Sequence, residues 1–329
     1  MKVRLLRLFE NRDAAVRRAA LHVLQVTGLS GGQESAAVVK RAQQVATNRS
    51  ANPEWRADAV GLLSLSNPAS RRDTFQQLIQ PAEPEPVQMA AARAMGQIAG
   101  EEPGQFLIKN WRGLTANVRM EAADALYRDP KRIPLILAAL KGGEIQPWTL
   151  AFRHRRQLVM HRDPAIRDTA RSVFDSAQGD RAKVIAQYQP ALEKSGDAER
   201  GKAVFKSTCA KCHKLNGVGA EVGPDLATVR HQPKQVLLTA VLDPSQSLSQ
   251  GFEAYVIETV QGNTVDGVLG PQTPTSITLR HEEGKQDTIQ RKDIKNMYVT
   301  NLSAMPADLE KQIDVQQMAD LLEYVKSGQ

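Results

Sequence analysis

The chain has 329 residues, which is long enough for two or three domains, and its 41% hydrophobic and 24% charged content is typical of globular proteins. Aromatic residues make up only 5%, which favours an aliphatic core and closely packed helices. No segment approaches the roughly 20 apolar residues of a transmembrane helix. The chain has two cysteines, three positions apart, and this excludes a disulfide framework.

The net charge of +7 is unevenly distributed: residues 1–194 carry +10 and residues 195–329 carry −3. A basic half raises the question of nucleic-acid binding. The basic residues, however, are dispersed and lack interleaved aromatic residues. Even the densest cluster, Arg153, Arg155 and Arg156, is read as a solvated helical face. We therefore expect no nucleic-acid partner.

One pattern recurs in the first half of the chain: a turn residue followed by an amphipathic run rich in Ala and Arg. The copies begin at Asp13, Asn52, Pro86, Ala116 and Asp163. Equivalent apolar positions in successive copies lie 31 to 48 residues apart. Such spacing is typical of helix pairs that each bury one face against a neighbour. The pattern resembles HEAT-like repeats and predicts a helical repeat domain over residues 1–178.

A polar segment, residues 179–196, is rich in turn-forming residues and predicts a connector. A helix is expected to begin near Asp197, to carry Gly201 and Phe205 on one face and to lead into the cysteine motif. A second helix is expected over 234–242, where Pro244 ends it.

The hydrophobic period then changes to two. Between residues 252 and 299, five short alternating runs separated by Gly, Asn and Pro predict a small antiparallel barrel or meander. From residue 315 to 325 the apolar residues return to helical spacing.

The motif Cys209-Ala-Lys-Cys212-His213 is the strongest chemical signal. In this pattern each thiol adds across a haem vinyl group, and the adjacent His binds the iron. Three alternatives were weighed. A structural zinc site needs about four ligands, and the chain has no further Cys. A thioredoxin-type pair follows a strand rather than a helix, and two structural cysteines leave His213 unexplained. The motif therefore predicts one covalent haem c.

The surroundings of the motif resemble class I cytochromes c. Gly201 and Phe205 precede it, and Gly223-Pro-Asp225 follows ten residues after it. The resemblance implies that the Pro224 carbonyl accepts a hydrogen bond from the His213 ring, which orients the imidazole and makes it more electron-rich.

Three methionines are candidates for the sixth iron ligand. Met297 lies in an expected strand and Met318 on the apolar face of the last helix, so both are expected to pack in a core. Met305 lies in an irregular loop before Pro306, and it resembles the axial Met of class I cytochromes c. His231, His281 and an open site remain as alternatives.

His213 and Met305 are 92 residues apart, which is long for a compact cytochrome. Without the 48 residues 252–299 the separation falls to 44, so we interpret the β segment as an insertion. The expected fold class is mainly α: a HEAT-like α-solenoid, then a cytochrome c-like helical domain over 197–329 with an inserted small antiparallel β module.

This combination resembles the haem-binding domain of Planctomycetes and Verrucomicrobia. The resemblance implies an electron carrier rather than an enzyme, supplied with electrons by a redox partner protein such as a dehydrogenase, separate or fused. Two alternatives stay open: a haem enzyme or gas sensor with an open or displaceable sixth position, and a helical scaffold in which haem is secondary.

Haem attachment in bacterial c-type cytochromes takes place outside the cytoplasm, so the resemblance implies a periplasmic or otherwise extracytoplasmic location. The first ten residues are interrupted by Arg4 and Arg7 and lack the apolar core of a secretion signal. The expectation is that the chain is a segment of a longer precursor or a mature product.

Overall fold

The computed structural model describes residues 2–29, 31–176, 181–245, 251–306 and 308–327. Within these ranges the protein has fifteen α-helices and one five-stranded antiparallel sheet. None of these helices combines the length and apolar character needed to cross a bilayer. Two compact units are present, the first comprising Met1–Ile145, Phe152–Ile166 and Thr273–Thr275, the second Gln146–Ala151, Arg167–Gln272 and Ser276–Gln329.

The first eleven α-helices lie between residues 2 and 176, before the cysteine motif. They are α1 (Lys2–Arg7), α2 (Ala14–Thr27), α3 (Gln33–Thr47), α4 (Pro53–Leu63), α5 (Arg72–Leu78), α6 (Glu85–Met95), α7 (Glu102–Lys109), α8 (Ala116–Tyr127), α9 (Ile133–Gly142), α10 (Phe152–Val159) and α11 (Pro164–Ser176). The five recurring runs correspond to α2, α4, α6, α8 and α11, each beginning within one residue of the expected start. Their classification as HEAT-like repeats stays a prediction, and so does the domain boundary expected at residue 178.

The turn residues of the repeated pattern cap these helices. A side-chain oxygen of Asp13 accepts a hydrogen bond from the Ala15 amide at 2.8 Å, and one of Asn52 accepts from the Glu54 amide at 2.9 Å. Such caps satisfy amides that have no partner inside the helix and contribute about 1 kcal/mol each. Pro53 costs little at the first helical position, because its missing N–H would have no partner there.

Small residues let the repeated helices approach closely. Helix α4 packs against α3 and α6, and α6 packs against α8. Ala59, Ala91 and Ala122 are fully buried. A Cβ atom on Gly96 would lie 2.9 Å from the Cβ of Ala125, so the chain has no room for a side chain there. This packing accounts for the low aromatic content.

A buried ion pair connects neighbouring helices of the first unit. Arg56 of α4 is 1% exposed and donates to the Ala46 carbonyl at 3.0 Å and to the Glu83 carboxylate at 2.6 Å. Glu83 is 3% exposed and also pairs with the exposed Arg49 at 2.9 Å. Desolvation makes the removal of one partner of such a pair costly.

We expect Arg56→Leu to lower the free energy of unfolding by about 3–5 kcal/mol, because it leaves the buried Glu83 carboxylate without its buried partner. The control is Arg7→Ala, which removes an exposed pair with Glu34 and should cost about 0–1 kcal/mol. Urea unfolding followed by circular dichroism measures both. Equal costs for the two variants would contradict the buried-pair interpretation.

The second unit contains residues 167–176 of α11 and the elements that follow that helix. They are α12 (Ala182–Tyr188), α13 (Ala198–Val204), α14 (Lys234–Leu242) and α15 (Val315–Ser327), with strands β1 (Glu253–Thr259), β2 (Thr264–Gln272), β3 (Ser276–Arg280), β4 (Gln286–Gln290) and β5 (Ile294–Ser303). The helices expected after Asp197, over 234–242 and at the C-terminal end are all present.

The segment expected to be a connector differs from its prediction. Within residues 179–196, of which 179 and 180 lie outside the described ranges, residues 182–188 are helical. Val184 and Leu192 pack against the core of the second unit. The Tyr188 hydroxyl donates to the Ile313 carbonyl at 2.5 Å. The sequence did not reveal this apolar face, because its apolar residues are few and are separated by polar ones.

The sheet forms a module with its own core. Its strand order is β4-β3-β2-β1-β5, and all neighbours are antiparallel. Tyr255, Ile257, Leu279 and Val299 are fully buried inside it, and Trp148 packs against this core. The five predicted strands are present, but the sheet continues to Ser303, beyond the expected end at 299. We call residues 253–303 the β module.

Helix α13, which leads into the cysteine motif, and the C-terminal helix α15 cross at a very short distance. A Cβ on Gly201 of α13 would lie 2.0 Å from the Asp320 carbonyl oxygen of α15. The buried Asp320 carboxylate accepts from Arg200 Nε and from the Asp197 amide, both at 2.8 Å. These contacts hold the start of α13 against α15.

Candidate haem-binding site

The cysteine motif lies at the end of α13. The helix widens into a π-helical turn over Phe205–Cys209, in which the Ala210 amide donates to the Phe205 carbonyl at 2.9 Å. The amides of Cys212 and His213 then both donate to the Cys209 carbonyl, at 3.1 and 2.9 Å. These hydrogen bonds close a tight turn around the motif, with Cys209 at its start and Cys212 and His213 at its end.

The chain then folds back on the motif. The Ala220 amide donates to the Ala210 carbonyl at 2.9 Å. The amides of Val222 and Gly223 donate to the Cys212 carbonyl, at 3.0 and 2.8 Å. We call residues 209–224 the attachment loop. Its returning half is held to its first half by main-chain hydrogen bonds.

The His213 ring is held on two sides. Its Nδ1 lies 2.8 Å from the Pro224 carbonyl oxygen, the hydrogen bond that the resemblance implies. Because a carbonyl can only accept, Nδ1 carries the proton and Nε2 has a free lone pair. A Cβ on Gly223 would lie 2.5 Å from the ring Cε1. A glycine is therefore required where the chain passes the imidazole.

Burial determines the charge states at the site. It lowers the pKa of His213, and the hydrogen bond to Pro224 opposes this only in part, so the imidazole is neutral at pH 7. Burial raises the pKa of the Cys209 thiol to about 12 and also raises that of Cys212. Both thiols are protonated at neutral pH, whereas thiol–disulfide exchange uses a thiolate of lowered pKa.

The loop is anchored in the core of the second unit. Phe205 is fully buried, and its ring centroid lies 5.6 Å from that of Tyr324 on α15. Leu215, within the loop, is also fully buried, and Cys209 packs against the same core. The attachment loop is thus fixed to the crossing of α13 and α15.

The three methionines differ in their surroundings. Met318 is fully buried in the helical core, and Met297 is 2% exposed in the core of the β module, as expected of packing residues. Met305 is half-buried in the segment between β5 and α15. Its amide donates to the Ser303 hydroxyl at 3.1 Å. Met305 takes no part in the hydrogen bonds of the attachment loop described above.

The two alternative histidine ligands lie elsewhere. His231 is exposed in a turn before α14. His281, in the β module, faces the Asp287 carboxylate at 3.0 Å. Among the residues that the structure describes, no group of three or more His, Cys, Asp or Glu side chains could hold a metal ion, which leaves the zinc interpretation without a ligand set.

Residues 198–329 match the family model for cytochrome c. This match supports a cytochrome c-like haem-binding domain in this part of the chain. The match spans the attachment loop, the β module and α15, and the family consists in general of electron carriers with covalently bound haem. No curated protein matches the chain.

The residues present fit a haem c. Two protonated thiols stand three positions apart, and a neutral imidazole beside them offers Nε2 to a metal. The neighbouring Pro224 carbonyl orients that imidazole. Cys209, Cys212 and His213 would hold the group, which supplies the redox chemistry when bound.

Two residues that contact the loop were not found from the sequence. Arg280 Nη1 donates to the Glu221 carbonyl, and the Glu283 amide donates to the Lys211 carbonyl, each at 2.7 Å. No motif signals these contacts, because both acceptors are main-chain carbonyls and both donors lie about 60 residues or more further along the chain.

We expect Gly223→Ala to displace the His213 ring, because the new Cβ would lie 2.5 Å from Cε1. The electron paramagnetic resonance signal of the oxidised haem protein should change accordingly. The control is Gly217→Ala, whose methyl group enters open space in the same loop. At φ +79 it costs about 1–2 kcal/mol of backbone strain without touching His213. A Gly223→Ala protein with the wild-type signal would contradict this view of the ring.

Proposed function

We propose that the chain is an electron-transfer module carrying one haem c, attached through Cys209 and Cys212, with His213 and Met305 as its axial ligands. The observation that carries the proposal is the orientation of His213. Its Nδ1–H is used by the Pro224 carbonyl and its other nitrogen is free, within a domain that matches cytochrome c.

Attachment needs no oxidant or reductant from the chain. Cys209 and Cys212 would each hold the haem through a thioether, in which the S–H bond would add across a vinyl double bond, with sulfur on one carbon and the hydrogen on the other. The raised thiol pKa values keep both sulfurs in the S–H form at neutral pH. This protects them from oxidation to a disulfide before the haem is attached.

The choice of Met305 rests on exposure and position. Met297 and Met318 are buried in hydrophobic cores, whereas Met305 is only half-buried and lies in an irregular segment. A thioether in such a segment can reach an iron without disturbing the packing of a helix or strand. His/Met ligation raises the reduction potential of a haem, which suits acceptance of electrons from a dehydrogenase or quinol.

The helical first unit is proposed to be a HEAT-like scaffold on which a redox partner protein docks. Arrays of stacked helices present extended surfaces to partners, and residues 1–194 carry a net charge of +10, which favours an acidic partner. Part of this charge is paired locally, since Arg153 contacts Asp124 at 2.7 Å. An extracytoplasmic location is proposed because c-type haem attachment takes place there.

Expression with haem-attachment machinery should yield one covalent haem c per chain. The pyridine haemochrome spectrum of the purified protein measures the type and stoichiometry of the haem. The control is Cys209→Ser with Cys212→Ser, which should lose the covalent haem because neither position can form a thioether. A wild-type protein that binds no haem, or only extractable haem, would refute the proposed function.

Met305→Ala should abolish the weak long-wavelength absorption band of the oxidised protein that arises from iron–sulfur coordination, because the thioether is removed. The control is Met160→Ala, which removes an exposed methionine of the helical unit and should leave the band unchanged. Rapid stoichiometric carbon monoxide binding by the reduced wild-type protein would instead favour the haem enzyme or gas sensor with an open sixth position.

A further inference from the structure

The β module contacts the attachment loop at two separate points. Arg280, the last residue of β3, donates through Nη1 to the Glu221 carbonyl at 2.7 Å. The Glu283 amide, in the corner between β3 and β4, donates to the Lys211 carbonyl at 2.7 Å. Lys211 lies between the two cysteines and Glu221 lies two residues before Gly223. The two contacts therefore hold the loop on both sides of His213.

Arg280 is directed toward the loop by the strand beside it. Its Nη2 donates to the Leu269 carbonyl of β2 at 3.3 Å. A Cβ on Gly270 would lie 3.1 Å from Arg280 Cγ, and a Cβ on Gly267 would lie 2.8 Å from the Arg280 carbonyl oxygen. Gly270 thus leaves room for the arginine stem, and Gly267 lets β2 approach the Arg280 main chain closely. One planar guanidinium bridges the sheet and the loop.

The corner that carries Glu283 has an unusual backbone. Glu283 has φ 63, a left-handed conformation that is strained for a non-glycine residue. The corner is closed by a hydrogen bond from the His281 amide to the Lys285 carbonyl at 2.8 Å, and Lys285 pairs with the Glu283 carboxylate at 2.9 Å. These contacts keep the Glu283 amide directed at the attachment loop.

The acceptors belong to the two halves of the loop. The half that contains Lys211 carries the cysteines and His213, and the half that contains Glu221 leads to Gly223 and to the Pro224 carbonyl that orients the imidazole. Within the loop itself, main-chain hydrogen bonds join the two halves; one of them runs from the Val222 amide to the Cys212 carbonyl. A contact on each half restricts their separation and hence the distance between His213 and its carbonyl partner.

We propose that the β module is a clamp on the attachment loop, in which Arg280 and Glu283 are positioning residues for His213. They act through the Glu221 and Lys211 carbonyls and do not touch the haem themselves. The clamp concerns the chain alone, and only its effect on the reduction potential rests on the proposed function.

Hydrogen–deuterium exchange of the purified full-length protein tests the clamp directly. In Arg280→Ala, the amides of Ala220, Val222 and Gly223 should exchange about fivefold faster than in the wild type, as expected for the loss of a contact of about 1 kcal/mol. The control is Lys295→Ala, which removes one positive charge from an exposed position of β5 and should leave the loop amides unchanged. Unchanged loop amides in Arg280→Ala would overturn the proposal.

A variant at the second contact, Glu283, tests the clamp even if Arg280→Ala disturbs the sheet. Glu283→Pro abolishes the contact with Lys211, because the ring removes the amide hydrogen and cannot adopt the positive φ of this corner, and it should again accelerate exchange in the loop. Glu283→Gly keeps the amide and suits the positive φ, so its loop should exchange at the wild-type rate. Equal rates in Glu283→Pro and Glu283→Gly would count against the clamp.

The haem-loaded protein supplies a separate measurement. The reduction potential of Arg280→Ala should fall below that of the wild type and of Lys295→Ala, because a looser loop exposes the haem to water and a nearby positive charge is lost. An equal fall in Lys295→Ala would assign the effect to net charge and overturn the role of Arg280 as a positioning residue.

Faster loop exchange in a protein that binds no haem would support the clamp and refute the proposed function. The failure of the clamp and the failure of the proposed function are therefore distinguishable.

Discussion

The close crossing of α13 and α15 is the contact on which the haem-binding domain depends. At Gly201 the two backbones approach so closely that any side chain would collide with the Asp320 carbonyl. The Asp320 carboxylate then fixes the start of α13 through Arg200. Helix α13 continues directly into the attachment loop, and α15 follows the segment that carries Met305. This crossing therefore holds the helix that leads into the attachment loop against the C-terminal helix.

The pairing of its first and last strands brings the β module back to the helices at the place where it left them. Strands β1 and β5 are neighbours, and Glu253 is paired with Ser303 in their register. The chain thus leaves the helices and returns to them at adjacent positions, and α14 and α15 are in contact. The core of the module is formed around residues such as Tyr255 and Ile257. The contacts from Arg280 and Glu283 connect the module to the attachment loop.

Local features could be predicted because they depend on neighbours in sequence. The capped helices that begin after Asp13 and Asn52, the five alternating strands and the final apolar helix all followed from short-range patterns. The spacing of Cys209, Cys212 and His213 indicated the chemistry, since two thiols three positions apart with an adjacent His are the pattern of covalent haem attachment. The prediction of a connector over 179–196 was incorrect in detail, because the helix there is short and buries its apolar face only against a distant part of the chain.

The sequence by itself thus determined the class of elements and the haem motif, because each is encoded within about a dozen residues. The resemblance to class I cytochromes c implied Pro224 as the partner of His213. Only the tertiary structure decided the charge states at the site. Burial by remote residues lowers the pKa of His213 and raises that of Cys209. Only the tertiary structure showed that the β module contacts the attachment loop, because a main-chain carbonyl can accept a hydrogen bond whatever the residue type.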